Sequence, residues 1–264
     1  MTTPVLLTGG TGTLGRQMLP LLRAAGCEVR VLSRRARAGA DGVEYVTGDL
    51  ATGEGIAAAV AGVETVVHCA GSAKGDGVKA RELVRAASGA GVGHLVYISV
   101  VGADRVPVTS RADRAMFGYY AAKLAGERAV AESGIPWTTL RATQFHDLML
   151  KTAEQMAKLP VLPVPSGMRV QPVDSGAVAA RMVELALGAP AGLVPDLGGP
   201  RVYGMDEMIR DYLRAAGKRR PLLPMRVPGK AAAALRAGAN LLTTGTAGGR
   251  SWEEFLAEWR DGRA

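Results

Sequence analysis

The chain places a tyrosine and a lysine four residues apart, Tyr119 and Lys123, within Gly118-Tyr119-Tyr120-Ala121-Ala122-Lys123. On a helix that spacing puts both side chains on one face, a turn apart. An ammonium beside a phenol favours the phenolate, so the phenol pKa is expected to fall. A tyrosine poised this way can give or take a proton at a substrate carbonyl or hydroxyl. The lysine can serve the same step, or it can bond the hydroxyls of a ribose. Taken alone, the pair also fits the surface of an ordinary amphipathic helix. Its weight comes from what precedes it.

Near the N-terminus the apolar run Val5-Leu6-Leu7 enters Thr8-Gly9-Gly10-Thr11-Gly12-Thr13-Leu14-Gly15, and Leu14, Met18, Leu21 and Leu22 then recur at helical spacing. The order is strand, tight turn, helix. Gly9, Gly12 and Gly15 let the backbone turn sharply and approach a ligand. The helix start behind them offers unpaired N–H groups and partial positive charge, which suits a pyrophosphate. The turn expected to contact a dinucleotide is therefore Gly9, Thr11, Gly12, Thr13, Leu14 and Gly15. Strand context before it and helix context after it are what separate this pattern from a merely structural turn.

The next positions refine the ligand. After a second strand, Glu28 to Leu32, the chain reads Ser33-Arg34-Arg35. An acidic side chain here would hold a ribose 2′-hydroxyl, whereas a guanidinium forms a fork onto a 2′-phosphate. NADP(H) is thus favoured over NAD(H), with Ser33, Arg34 and Arg35 around the phosphate. A third strand, Val43 to Thr47, ends in Gly48-Asp49-Leu50. Asp49 and Leu50 fall at the ligand edge of a parallel sheet. Asp49 could accept from an adenine amino group or cap the short helix over residues 56–60. The fourth strand, Thr65 to Gly71, is a nearly continuous apolar run in which Ala70-Gly71 leaves room for a dinucleotide, and 72–76 reads as a polar loop. His68 reads as a core or strand-edge histidine. The fifth strand, His94 to Ser99, follows a helix over 78–91, and the sixth is Pro136 to Ala142. Thr143, Gln144, Phe145 and His146 come at the end of the sixth strand, where a nicotinamide and substrate could meet.

These elements alternate as expected for an α/β fold, a Rossmann-type doubly wound parallel sheet. Residues 105–117 read as a long binding loop. The alternation breaks at Leu159-Pro160-Val161-Leu162-Pro163-Val164-Pro165. Proline lacks the ladder donor, so no central strand fits there. The expected division is therefore a cofactor-binding domain over 1–159 and a small, mostly helical substrate lobe over 160–264, packed on the first. Helices are expected over 173–187, 206–216, 229–242 and 251–259. Trp252, Phe255 and Trp259 form a stripe that reads as packing.

The 264 residues are 48% hydrophobic, enough for a sizeable core, and no apolar run reaches the length of a membrane span. The formal charge of +8 comes from scattered arginines without interleaved aromatics, so nucleic acid is not an expected partner. Cys27 and Cys69 make neither a disulfide framework nor a metal site. With no signal peptide visible, a cytoplasmic monomer or homodimer without a metal is expected, acting on a small molecule.

As a set, these motifs resemble the short-chain dehydrogenase/reductase superfamily. The likeness is to its atypical branch with NmrA-like and isoflavone-reductase-like members. The resemblance rests on the opening Thr8 to Gly15, Gly48-Asp49-Leu50, the strand ending Ile98-Ser99, the Tyr119-Tyr120-x-x-Lys123 helix and Leu140 to Phe145. It covers Pro4 to Phe145 well and the remainder loosely. It implies NADP(H) across the strand C-termini, Lys123 at the nicotinamide ribose, and Tyr119 as acid or base. It implies an oxidoreductase moving a hydride to or from a small carbonyl or enone. The superfamily's catalytic serine or threonine sits just after the fifth strand, where this chain has Ser99 followed by Val100-Val101-Gly102. Members of the branch also include nucleotide-binding regulators without turnover, and the same fold serves epimerases, dehydratases and cyclases.

Overall fold

The computed structural model describes residues 4–39, 42–71 and 75–262, so positions 72–74 of the loop read at 72–76 lie outside the described residues. In chain order the elements begin β1 (Val5–Thr8), α1 (Thr13–Ala24), β2 (Val29–Ser33), β3 (Val43–Thr47), α2 (Ile56–Val60), β4 (Thr65–His68) and α3 (Asp76–Gly89). They continue with β5 (His94–Val100), α4 (Arg111–Ala131), β6 (Trp137–Ala142), α5 (His146–Met156), β7 (Leu162–Pro165), β8 (Arg169–Val170) and α6 (Ser175–Leu187). The chain then forms β9 (Gly192–Leu193), β10 (Leu197–Gly198), β11 (Tyr203–Gly204), α7 (Met205–Ala215), β12 (Leu222–Met225), α8 (Lys230–Arg236), β13 (Thr246–Ala247) and α9 (Trp252–Asp261).

The chain divides into two compact units, each built from separated segments. The first runs through Ser99 and takes in Gly118–Arg141 and Val178–Val194; the second is Val100–Phe117, Ala142–Ala177 and the chain from Pro195. This differs from the single break expected after residue 159. The chain leaves and re-enters each unit, which an N-to-C reading of composition does not reveal.

In the first unit the strand order is β6-β5-β4-β1-β2-β3, with β9 beside β6. Val5 pairs with both Val29 and Thr65, and Thr65 pairs in turn with His94, all in parallel. The register therefore brings the C-terminal ends of β1, β2, β4 and β5 to one edge. The strand order reverses between β1 and β4, and such a switch point is where open parallel sheets bind ligands. Leu6, Val66 and Leu95 are fully buried with Ile56, Leu83 and Val130 in one apolar cluster. Helix α1 meets the sheet through Leu14, Met18 and Leu22, four residues apart, as its period requires.

The second unit has its own core, in which Met208, Ile209, Tyr203, Tyr212 and Trp252 are almost wholly buried. Among the described residues β7 pairs only with β12, and this two-stranded arrangement outside the central sheet accommodates its prolines. Trp252 Nε1 donates to the Met208 carbonyl at 3.2 Å, and its ring stacks on Phe255 at 5.6 Å. The aromatic stripe is thus packing.

Two element boundaries correct the sequence reading. The loop expected over 105–117 ends early, because α4 already starts at Arg111. Ser110 and Asp113 cap it reciprocally: the Asp113 N–H donates to Ser110 Oγ at 2.9 Å, and the Ser110 N–H donates to Asp113 Oδ2 at 3.1 Å. The helix expected over 229–242 stops at Arg236, and Gly238, at φ +90°, turns the chain away.

Candidate functional site

The glycine turn is shaped by close backbone approaches. Gly9 has φ +74°, and a Cβ there would lie 2.7 Å from the Ala70 nitrogen. At Gly15 a Cβ would lie 2.3 Å from the Gly9 carbonyl oxygen. At Gly10 a Cβ would lie 2.7 Å from Val31 Cγ1. The turn is closed by the Gly12 N–H donating to the Gly9 carbonyl at 2.9 Å. Gly12 is the exposed N-cap of α1 and has no side chain to satisfy the first helical N–H groups. Thr11 and Thr13 are half-buried, while Leu14 is buried in the helix–sheet contact. An unblocked helix start behind a backbone-tight turn fits a pyrophosphate.

The end of β2 carries Ser33, whose Oγ donates to the Arg35 carbonyl at 2.9 Å and fixes the bend. Arg34 and Arg35 stand exposed beyond it. Asp49 is half-buried and accepts from the Ala51 N–H at 2.8 Å. The short helix α2 has Gly55 at its N-cap, so Asp49 caps its own turn rather than that helix. Leu50 is a core residue, 6% exposed. Ala70 is half-buried and Gly71 exposed, just past β4.

Between β4, β5 and the helices α3 and α4 lies a buried polar cluster. Thr8 Oγ1 accepts from the Ala70 N–H at 3.3 Å and sits 2.7 Å from His68 Nδ1. Burial, then Lys123 and Lys79, depress the His68 pKa to about 3, so the ring is neutral, as a core histidine should be. His68 stacks on Tyr97 with centroids 5.4 Å apart. Lys123 is 3% exposed; its Nζ donates to the Ile98 carbonyl at 3.1 Å and pairs with Asp76 Oδ2 at 3.3 Å. It also lies over the Tyr97 ring at 5.1 Å and the Tyr119 ring at 5.8 Å. Tyr119 and Lys123 therefore do share one face of α4. Ser99, 3% exposed, carries a buried hydroxyl with no hydrogen-bond partner among the described residues. A buried hydroxyl without a protein partner at the end of β5 fits a polar ligand there.

The expected acidification of Tyr119 is not what the site produces. Burial pushes its phenol pKa up, and the Asp76 carboxylate pushes it further. The sequence reading places Asp76 in the polar loop over 72–76, because the apolar helical pattern starts at 78, whereas the structure places it in the first turn of α3. An aspartate one residue after Gly75 was the available signal, since acidic residues favour a helix first turn.

Thr143, Gln144, Phe145 and His146 belong to the second unit. Thr143 Oγ1 donates to the Gln171 carbonyl at 2.5 Å, and the Val173 N–H donates to the Gln144 carbonyl at 2.8 Å. Phe145 bridges to Val173. His146 is fully buried and stacks on Phe255 at 5.0 Å; burial lowers its pKa to about 4. His146 is thus held in this unit's aromatic core.

A nucleotide-binding family is what this turn, edge and polar cluster define. The model of a family described as NAD(P)H-binding matches residues 9–186, and the chain belongs to that family. The sequence resemblance anticipated it at this level. Among curated relatives, the chain is 30% identical over 245 residues to the ceramide reductase of Caulobacter vibrioides, covering 85% of this chain and 74% of that protein. It is 27% identical over 231 residues to a chloroplastic Arabidopsis thaliana protein named for a high chlorophyll fluorescence phenotype. That match covers 82% of this chain, which spans only 56% of the relative's length. The fold is similar to the NADPH-dependent quinone oxidoreductase of Escherichia coli solved with NADPH, with TM-score 0.78 at 19% identity, over 97% of this chain and 99% of that one. No described helix is long and apolar enough to cross a membrane.

Proposed function

We propose that the protein is an NADP(H)-dependent reductase of a small carbonyl- or enone-type substrate. The observation that carries the reading is the buried Lys123 ammonium, bonded to the Ile98 carbonyl and set beside Tyr119 at the ligand edge of the β4–β5 sheet. One of its donors goes to the Ile98 carbonyl and the Asp76 carboxylate pairs with it at 3.3 Å, and an ammonium with three donors can also reach a ribose hydroxyl. When bound, NAD(P)H supplies a hydride. The chain supplies the rest. The turn Gly9 to Gly15 holds the pyrophosphate, with Ala70 and Gly71 giving it clearance. Ser33 orients the bend from which Arg34 and Arg35 reach a 2′-phosphate. Asp49 and the Leu50 backbone flank the adenine. Ser99 offers its hydroxyl to the polar end of the substrate or cofactor, and Tyr119 holds the proton that the substrate oxygen takes. That the Caulobacter relative is named a reductase, and the similar Escherichia coli structure an NADPH-dependent quinone oxidoreductase, supports the assignment. Free Cys27 and Cys69 suit a reducing compartment such as the cytoplasm.

Fluorescence titration with NADPH and NADH, followed by NADPH oxidation against a panel of quinones, enones and aldehydes, tests the reading. NADPH should bind more tightly, and Tyr119→Phe should keep that affinity while losing turnover. Full turnover in Tyr119→Phe would remove the tyrosine from the mechanism. Tight NADPH binding without turnover on any substrate would favour a nucleotide-sensing regulator.

A further inference from the structure

The tyrosine–lysine pair has a third member. Asp76, in the first turn of α3, is 1% exposed. Its Oδ2 lies 3.3 Å from Lys123 Nζ, and its Oδ1 lies 3.8 Å from Lys79 Nζ. Gly71 makes room for this contact: a Cβ there would sit 3.3 Å from Asp76 Oδ2 and 3.4 Å from Lys123 Nζ. The ammonium is thus held between a backbone carbonyl on one strand and a carboxylate on the facing helix.

A lone ammonium would draw the proton off a neighbouring phenol, but an ammonium paired with a buried carboxylate presents little net charge to it. We propose that Asp76 is a positioning residue that anchors the Lys123 ammonium and offsets its charge, so that Tyr119 keeps its proton and is set to act as an acid. The proposal rests on the reductase reading for the direction of proton transfer, not for the geometry. Other titratable groups nearby are Lys79 on α3, Tyr120 and Glu127 on α4, Tyr97 on β5 and His68 on β4. His68 is neutral, and Glu127 is tied up by Arg141 at 2.7 Å. Lys79 shares the Asp76 carboxylate at 3.8 Å, and Lys123 is the ammonium that lies over the Tyr119 ring. The upward shift of Tyr119 by burial and Asp76 agrees with this.

NMR titration of ring-labelled tyrosine in the full chain without cofactor tests the proposal, with the Tyr119 signal assigned by its loss in Tyr119→Phe. In the wild type Tyr119 should titrate above the ordinary tyrosine value of about 10. Asp76→Asn should lower the midpoint by about one unit or more, and Asp76→Glu should restore it. The basic limb of the pH–rate profile should move with it. A wild-type midpoint at or below about 10, or an unchanged midpoint in Asp76→Asn, overturns the proposal. Should Asp76→Asn fail to fold, Lys123→Met decides instead, because burial alone already raises the wild-type midpoint: with the ammonium gone and Asp76 in place the midpoint should rise further, and an unchanged midpoint overturns the proposal. The titration needs no turnover, so a protein that never oxidises NADPH would refute the reductase reading and leave this result standing.

Discussion

The Thr8 hydroxyl meets His68 Nδ1 at 2.7 Å across the ends of two neighbouring parallel strands, β1 and β4. Thr8 Oγ1 also accepts from the Ala70 N–H at 3.3 Å, so one hydroxyl joins the end of β4 to the imidazole. Burial keeps that ring neutral.

Acid lability follows from that burial. The folded protein keeps His68 neutral down to about pH 3 and His146 down to about pH 4, whereas in the unfolded chain both take up protons below about 6.5. A depressed folded pKa makes the unfolded state bind more protons as pH falls. Their contribution is therefore fully present above about pH 6.5 and is lost through the window down to the folded values, at about 1.4 kcal/mol per pH unit for each ring. Urea unfolding at pH 7 and pH 5 should show the loss. His146→Phe, which keeps the stack on Phe255, should flatten the slope; an unchanged slope would mean that His146 does not stay neutral.

The buried ion pair between Glu127 and Arg141 gives a second expectation. Arg141 Nε and Nη2 donate to the two carboxylate oxygens at 2.8 and 2.7 Å, and each side chain is 11% exposed. Removing one partner strands the other charge, which costs about 3–5 kcal/mol, while replacing both by apolar residues of similar size costs far less. Glu127→Ala should therefore lower the melting temperature by roughly 10 °C on the scale of about 2–4 °C per kcal/mol for a chain this long. The double variant Glu127→Met with Arg141→Met should recover most of it. Equal melting points for single and double variants would contradict the account.

Cofactor choice is tested at Arg34. An exposed guanidinium at the end of β2 can contribute one charge-assisted contact to a 2′-phosphate, worth about 1.5–3 kcal/mol. Arg34→Ser should weaken NADPH binding by about 10- to 100-fold and leave NADH affinity unchanged. Comparable weakening for both nucleotides in a fluorescence titration would assign Arg34 a structural role instead.

Much of this was legible in the residues. Strand–turn–helix order follows from local pattern, because parallel strands buried on both faces carry continuous apolar runs such as Thr65 to His68. Tyr119 and Lys123 share a face because helical geometry is local. Asp76 was not legible as Lys123's partner, because the 47 positions separating them carry no periodic signal and only the packing of α3 beside α4 joins them. The change in Tyr119 has the same origin. The sequence shows the lysine four residues away but not the distant carboxylate that offsets it. The division into units was hidden for a related reason: each unit is assembled from separated stretches of chain.

Two glycines of the same helix, Gly118 and Gly126, should respond in opposite directions to alanine. A Cβ at Gly118 meets nothing within 4 Å, whereas a Cβ at Gly126 would lie 2.3 Å from Tyr97 Oη. Alanine is favoured over glycine in a helix by about 0.8–1 kcal/mol, so Gly118→Ala should raise stability by up to that amount. At Gly126 the same gain meets a stiff, 1% exposed ring, and overpacking costs about 1–3 kcal/mol, so the net effect should be a loss. The Tyr97 hydroxyl has no hydrogen-bond partner among the described residues, so Tyr97→Phe should itself be close to neutral or stabilising. Combined with Gly126→Ala it should recover part of the loss, because it removes the nearest atom that the new methyl strikes and leaves Cζ at 2.8 Å. Thermal melts of the three single variants and the double variant read all four signs. A Gly126→Ala melt at or above wild type would show that the ring yields, and with it the aromatic face on which Lys123 rests.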